Sequence, residues 1–116
     1  MKLGQARPKN KFGAKRTEFD GVSFASKAEA KRYAELSILQ RAGQIENLKC
    51  QPKFPLTVEG VLVGSYIADF SYFLKGSTDL IVEDVKSPAT KTALYRLKAK
   101  LVKAIHGITI VEVMNG

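Results

Sequence analysis

The chain has 116 residues, 45% of them hydrophobic, which suits one globular domain with its own core. No apolar stretch approaches the length needed to span a bilayer, and no apolar run follows the leading charges as in a secretory signal. Cys50 is the only cysteine, so an internal disulfide is excluded, in keeping with a reducing cytoplasm.

The net charge of +8 is unevenly placed. Residues 1–17 hold Lys2, Arg7, Lys9, Lys11, Lys15 and Arg16 and no acid, so +6 of it sits in a short leading segment. That segment is too polar to bury a core alone and reads as a basic flexible arm on a single domain, residues 18–116. A basic arm on a nearly balanced domain fits a polyanionic partner, nucleic acid first, or else a solvated leader.

In chain order, Glu18 to Phe24 predicts a hairpin turning at Asp20-Gly21. Ser26-Lys27-Ala28-Glu29 matches a capping box and opens a helix over Lys27–Ala42, stopped by Gly43. Gln51-Pro52-Lys53-Phe54-Pro55 is an extended entry to strands at Leu56–Val58 and Val61–Phe73 around Glu59-Gly60. Leu80–Lys86 is a further short strand, after a turn at Lys75-Gly76-Ser77. A second helix is expected over Thr90–His106, with an apolar stripe of Leu94, Leu97, Leu101 and Ile105 and a stop at Gly107. Ile108–Val113 is the last strand. The order helix, three strands, helix, strand is that of an α/β layer, helices packed on a mixed sheet.

The chemistry concentrates in Glu83-Asp84-Val85-Lys86. Side chains alternate along a strand, so Asp84 and Lys86 share one face and Glu83 and Val85 the other. Such a pair can hold a cation and a nucleophilic water, or be an ordinary ion pair. Asp69 lies inside the apolar run Tyr66-Ile67-Ala68-Asp69-Phe70, where a buried carboxylate must be paired or metal-bound, or else mark a bulge. Glu29 either caps its helix or, lying on the Tyr33–Leu36–Gln40 face, points toward Asp69. Three carboxylates and a lysine are what metal-assisted phosphodiester cleavage requires.

Lys91, Tyr95 and Lys98 share a face of the second helix, either a nucleic-acid contact or a solvated basic face. Gln51 either approaches the site or serves a turn. His106, near a helix C-terminus, is expected to compensate the helix dipole. No cysteine–histidine cluster suggests structural zinc, and no glycine-rich phosphate loop suggests ATP use.

Asp69 followed after fifteen residues by Asp84-Val85-Lys86, with the element order above, resembles the PD-(D/E)XK nuclease superfamily. The leading Glu29 is similar to that of phage junction-resolving endonuclease I and the transposon end-cleaving endonucleases, and Ser26 to Lys86 resembles a phage-borne group among them. The resemblance implies a restriction-endonuclease-like αβββαβ core and a magnesium-dependent DNA endonuclease, with manganese able to substitute. It makes Asp69, Asp84, the Val85 carbonyl and Glu29 metal ligands and Lys86 the catalytic lysine. Lys9, Lys11, Lys15, Arg16, Lys91, Tyr95 and Lys98 would contact DNA. A homodimer acting on branched DNA such as a Holliday junction, in the cytoplasm of a bacterial host and of phage or prophage origin, is the further implication. A non-catalytic nucleic-acid-binding module on the same fold is the alternative. Ala68 stands where many members have Pro, Asp84 where Glu is commoner, and Ser87 where Gly is common. Glu83 leaves the register at the metal open.

Overall fold

The computed structural model describes residues 17–114. Of the expected basic arm only Thr17 falls among them, opening the first strand; Lys9, Lys11, Lys15 and Arg16 lie outside the described residues.

Strands β1 (Thr17–Phe19) and β2 (Val22–Phe24) form the expected hairpin. Asp20 and Gly21 both take positive φ, 56° and 78°, the pair of left-handed residues that a two-residue turn needs to match the strand twist. Helix α1 (Lys27–Arg41) begins where Ser26, extended at the N-cap, accepts the Glu29 N–H at 3.2 Å. It ends in a Schellman motif. The Gly43 N–H reaches the Gln40 carbonyl and the Gln44 N–H the Leu39 carbonyl, with Gly43 at φ 79°.

The next strand, β3 (Ile45–Cys50), goes beyond what the sequence predicts. It carries a bulge where Asn47 takes φ 58°, and the Leu48 N–H is bonded by the Gln40 side chain at 2.8 Å. β4 (Lys53–Val58) and β5 (Val61–Ile67) follow as an antiparallel pair. The single strand expected over Val61–Phe73 is two: β5 ends at Ile67 and β6 (Phe70–Leu74) starts beyond Ala68-Asp69.

The break has a cause on the opposite chain. Gln51 at φ 56° and Pro52, which has no N–H to give, interrupt the ladder between β3 and β4. Two bonds stitch the crease, from the Gln51 N–H to the Asp69 carbonyl at 2.8 Å and from the Ala68 N–H to the Pro52 carbonyl at 3.0 Å. One long antiparallel ribbon, β3–β4 against β5–β6, is thus folded at Asp69.

β7 (Leu80–Lys86) pairs antiparallel with β6. A 3₁₀ turn at Pro88–Thr90, closed by Ser87 and Thr90, then delays helix α2 to Ala93–His106, three residues after the expected start. Strand β8 is confined to Val111–Met114 and lies parallel to β7. The result is mixed α/β: a four-stranded mixed sheet in the order β3-β6-β7-β8, two helices, and the two small antiparallel pairs. No helix among the described residues is long and apolar enough to cross a membrane.

Each face of the sheet has its own core. Phe24, Ala30, Leu36, Ile45, Phe70 and Tyr72 pack beneath α1 and the β1–β2 hairpin. Leu56, Tyr66, Ala68, Val82, Tyr95 and Val102 pack beneath α2 and the β4–β5 pair. The apolar stripe expected on α2 holds in part: Leu101 and Ile105 pack against this second core. Leu94 and Leu97 are 60% and 55% exposed, whereas Tyr95 and Val102 are buried. The buried face is thus shifted toward Tyr95 and Val102, with Leu101 and Ile105 at its edge. Tyr95 governs the shift because its hydroxyl finds a partner on β8, which a leucine cannot use.

Candidate active site

Strand β7 crosses the molecule with both cores beside it, so its alternation sorts chemistry onto two sides. Glu83 turns toward α1 and is 1% exposed. Arg32 grips it with two bonds, Nε to Oε1 at 2.8 Å and Nη2 to Oε2 at 2.7 Å, and Tyr72 donates its hydroxyl to the same carboxylate. Burial and the Glu83 carboxylate push the Tyr72 phenol up to about 12. Glu83 is therefore the anchor of α1 to the sheet. Its lone pairs are committed to that anchor, on the side away from Asp84.

Asp84 and Lys86 face α2, as alternation requires. Asp84 is 3% exposed and receives the Asp69 N–H on Oδ1 at 2.9 Å. Asp69 answers with its own carboxylate, Oδ2 accepting the Val85 N–H at 2.7 Å. Asp69 sits in the crease, where its N–H also reaches the Glu83 carbonyl at 3.1 Å and its side chain adds a second tie to β7. The two carboxylates are held together by backbone donors, and among the described residues no donor binds the other oxygen of either.

Glu29 joins them electrostatically. Burial, and next the negative charge of Asp69, raise its carboxyl to about 7, against the opposing Ala25 N–H and Lys86. Asp84 is raised to about 6 by burial, with Lys86 and the Asp69 N–H opposing. Asp69 is raised as well, again by burial first. Of the capping box, the Ser26 half is formed, its hydroxyl accepting the Glu29 N–H. Glu29 thus closes the helix start through its backbone N–H, while its carboxyl lies within the field of Asp69 and Asp84.

Among the described residues no group of three or more His, Cys, Asp or Glu side chains is arranged to hold a metal ion as they stand. Asp69 and Asp84, side by side and both raised by burial, offer the oxygen donors that a hard cation takes.

The Lys86 ammonium rests 4.1 Å above the centroid of the Tyr95 ring. The Tyr95 hydroxyl donates to Glu112 Oε2 at 2.8 Å, and Lys91 pairs with Glu112 Oε1 at 3.0 Å. Glu112 lies opposite Asp84 in the β7–β8 register. It escaped the sequence reading, although its place between Val111 and Val113 marks the polar side of a strand. Arg32 and Tyr72 were missed too, with no local signal to betray a pairing that spans 51 and 11 residues of chain to Glu83. Lys98, half-buried, lines a surface cavity of about 400 Å³ with Tyr66, Lys86, Thr90 and Thr92. Gln51 has the turn role, exposed and bonded through its backbone to Asp69. His106 lies away from the carboxylates and donates from Nε2 to the Pro55 carbonyl at 2.7 Å, tying the end of α2 to β4.

The chain belongs to the family described as protein of unknown function DUF1064, whose model matches residues 9–109. No curated protein and no solved structure matches the chain.

Proposed function

We propose that this member of the DUF1064 family is a divalent-cation-dependent DNA endonuclease of the PD-(D/E)XK type. The observation that carries the reading is the reciprocal pair of bonds by which Asp69 and Asp84 are fastened side by side, with Lys86 on the same side of β7. The order α1, β3, β6, β7, α2, β8 around the central sheet supports it, as the αβββαβ succession with a hairpin inserted. Fastening two acids together, Asp84 buried and Asp69 half-buried, disfavours their charged forms, and a cation there would relieve it.

Asp69, Asp84 and the Val85 carbonyl would hold magnesium or manganese, with Glu29 ligating directly or through water. Bound there, such an ion neutralises the scissile phosphate and acidifies a water. Lys86 orients that water and stabilises charge developing on the phosphate. Lys98, and the basic residues ahead of β1, bind flanking phosphates of DNA. A homodimer working on branched DNA in a bacterial cytoplasm, encoded by a phage or prophage, completes the reading. A second reading, a nucleic-acid-binding module without catalysis, explains the charge of +8 but leaves the fastened carboxylates without a purpose.

The test is incubation of the purified protein with supercoiled, linear and four-way-junction DNA and with RNA, in magnesium, manganese or chelator. Metal-dependent cutting that vanishes in Asp84→Ala and Lys86→Ala is expected. Tight binding with every substrate left intact would establish the binding module instead.

A further inference from the structure

Lys86 leaves an apolar strand and must place its ammonium beside the buried Asp84 and the half-buried Asp69. Four flexible bonds separate that ammonium from the backbone, and freezing them costs entropy. Among the described residues it has no salt-bridge partner within 4 Å. Its charge still acts on the site, lowering the carboxyls of Glu29, Asp69 and Asp84. The ammonium is held by the face of Tyr95, 4.1 Å from the ring centroid.

The ring is itself fixed at both ends. Thr92 caps α2 by accepting the Tyr95 N–H at 3.1 Å, which sets the helix start. At the far end Glu112 takes the Tyr95 hydroxyl, and Lys91 holds Glu112 from the other side. The Tyr95 side chain is 7% exposed as a residue, so the ring can shed little of this restraint to solvent. The negative carboxylate bonded to the phenol also makes the ring face a better seat for a cation.

From this geometry we infer that Tyr95 and Glu112 are positioning residues for Lys86: the chain Lys91–Glu112–Tyr95 holds the ammonium of the proposed catalytic lysine at a fixed place beside Asp69 and Asp84. This changes the part expected of Lys91 and Tyr95 from grasping DNA to supporting the lysine. It rests on the nuclease reading for its kinetic consequence only. The seating of Lys86 is a property of the protein alone.

The experiment joins NMR with kinetics on the full chain. An aromatic face at this distance shifts the Lys86 ε-methylene protons upfield of the other lysines. Tyr95→Leu removes the ring and returns the signal to the common lysine position. Glu112→Ala removes only an exposed side chain that grips the phenol, so the fold survives and the shift shrinks. Tyr95→Phe keeps the ring and most of the shift. In the cutting assay, Tyr95→Leu lowers turnover by about ten-fold and Glu112→Ala by about two- to five-fold, the scale of a partly desolvated cation–π contact, with KM unchanged. A wild-type Lys86 signal lying among the other lysines, or one that neither variant moves, overturns the inference. So does a rise in KM at constant turnover, which would make Tyr95 a substrate contact. If the wild-type protein cuts nothing while the shift behaves as described, the nuclease reading fails and the seating of Lys86 stands.

Discussion

Asp84→Asn should make the metal-free protein more stable at neutral and alkaline pH while abolishing the proposed DNA cutting. Asp84 is nearly inaccessible, and its carboxyl is raised from 3.8 to about 6, chiefly by burial. A raised carboxyl means that the unfolded chain gives up the proton first. Rising pH therefore erodes stability from about pH 4 to about pH 6, and the loss is complete above that window. At 1.36 kcal/mol per unit, a displacement of about two units amounts to about 3 kcal/mol at most. Asparagine keeps an oxygen for the Asp69 N–H, bonded at 2.9 Å, and has no charge to desolvate. Part of the strain belongs to Glu29 and Asp69 and persists, so a gain of about 1–3 kcal/mol is expected, or roughly 4–12 °C in Tm. Thermal and urea melts of both proteins in chelator, at about pH 4 and about pH 8, provide the measurement. The two should coincide in acid and diverge in base. An asparagine variant weaker than wild type by the same margin at both pH values would refute a disfavoured buried charge at this position.

Three further outcomes are expected. Magnesium should raise the Tm of the wild-type protein at about pH 8, by about 3 kcal/mol of stabilisation at a hundred-fold excess over Kd, and leave Asp84→Ala unmoved; equal effects on both would detach the cation from this site. Arg32→Ala strands the buried Glu83 carboxylate and should cost about 3–5 kcal/mol in urea denaturation at neutral pH, a loss under about 1 kcal/mol being the contrary result. Lys98→Ala should weaken DNA binding across sequences and lower the salt slope by about one, whereas an unchanged slope would remove Lys98 from the phosphate path.

What the sequence disclosed was local. The Asp20-Gly21 turn, the Ser26 cap, the Gly43 stop and the facing of Asp84 with Lys86 each depend on a few neighbouring residues, and each appears in the structure. The features that stayed hidden depend on distant partners. Ile45–Cys50 mixes charge with a bulge and shows no clean alternation, so its pairing with β6 could not be anticipated. Nothing within Val61–Phe73 breaks the apolar run hard enough to divide it; the interruption comes from Pro52 across the ladder. The leucines of α2 outweighed Tyr95 on hydrophobicity alone, because the hydroxyl's partner Glu112 lies seventeen residues on. The electrostatic coupling of Glu29 to Asp69 and Asp84 has the same character, being set by how α1 docks on the sheet.

The crease at Asp69 gives the β4–β5 ribbon a mechanical meaning. The ribbon is a lever, and its fulcrum is the pair of bonds joining Gln51 to Asp69 and Ala68 to Pro52. Asp69 is fastened to that fulcrum by its carbonyl, and to β7 by its N–H and carboxylate. A load applied at the Glu59-Gly60 tip is thereby borne by the same residue that fixes the two acids relative to each other. Backbone bonds at this joint thus share with the two carboxylates the task of fixing where Asp69 stands relative to Asp84.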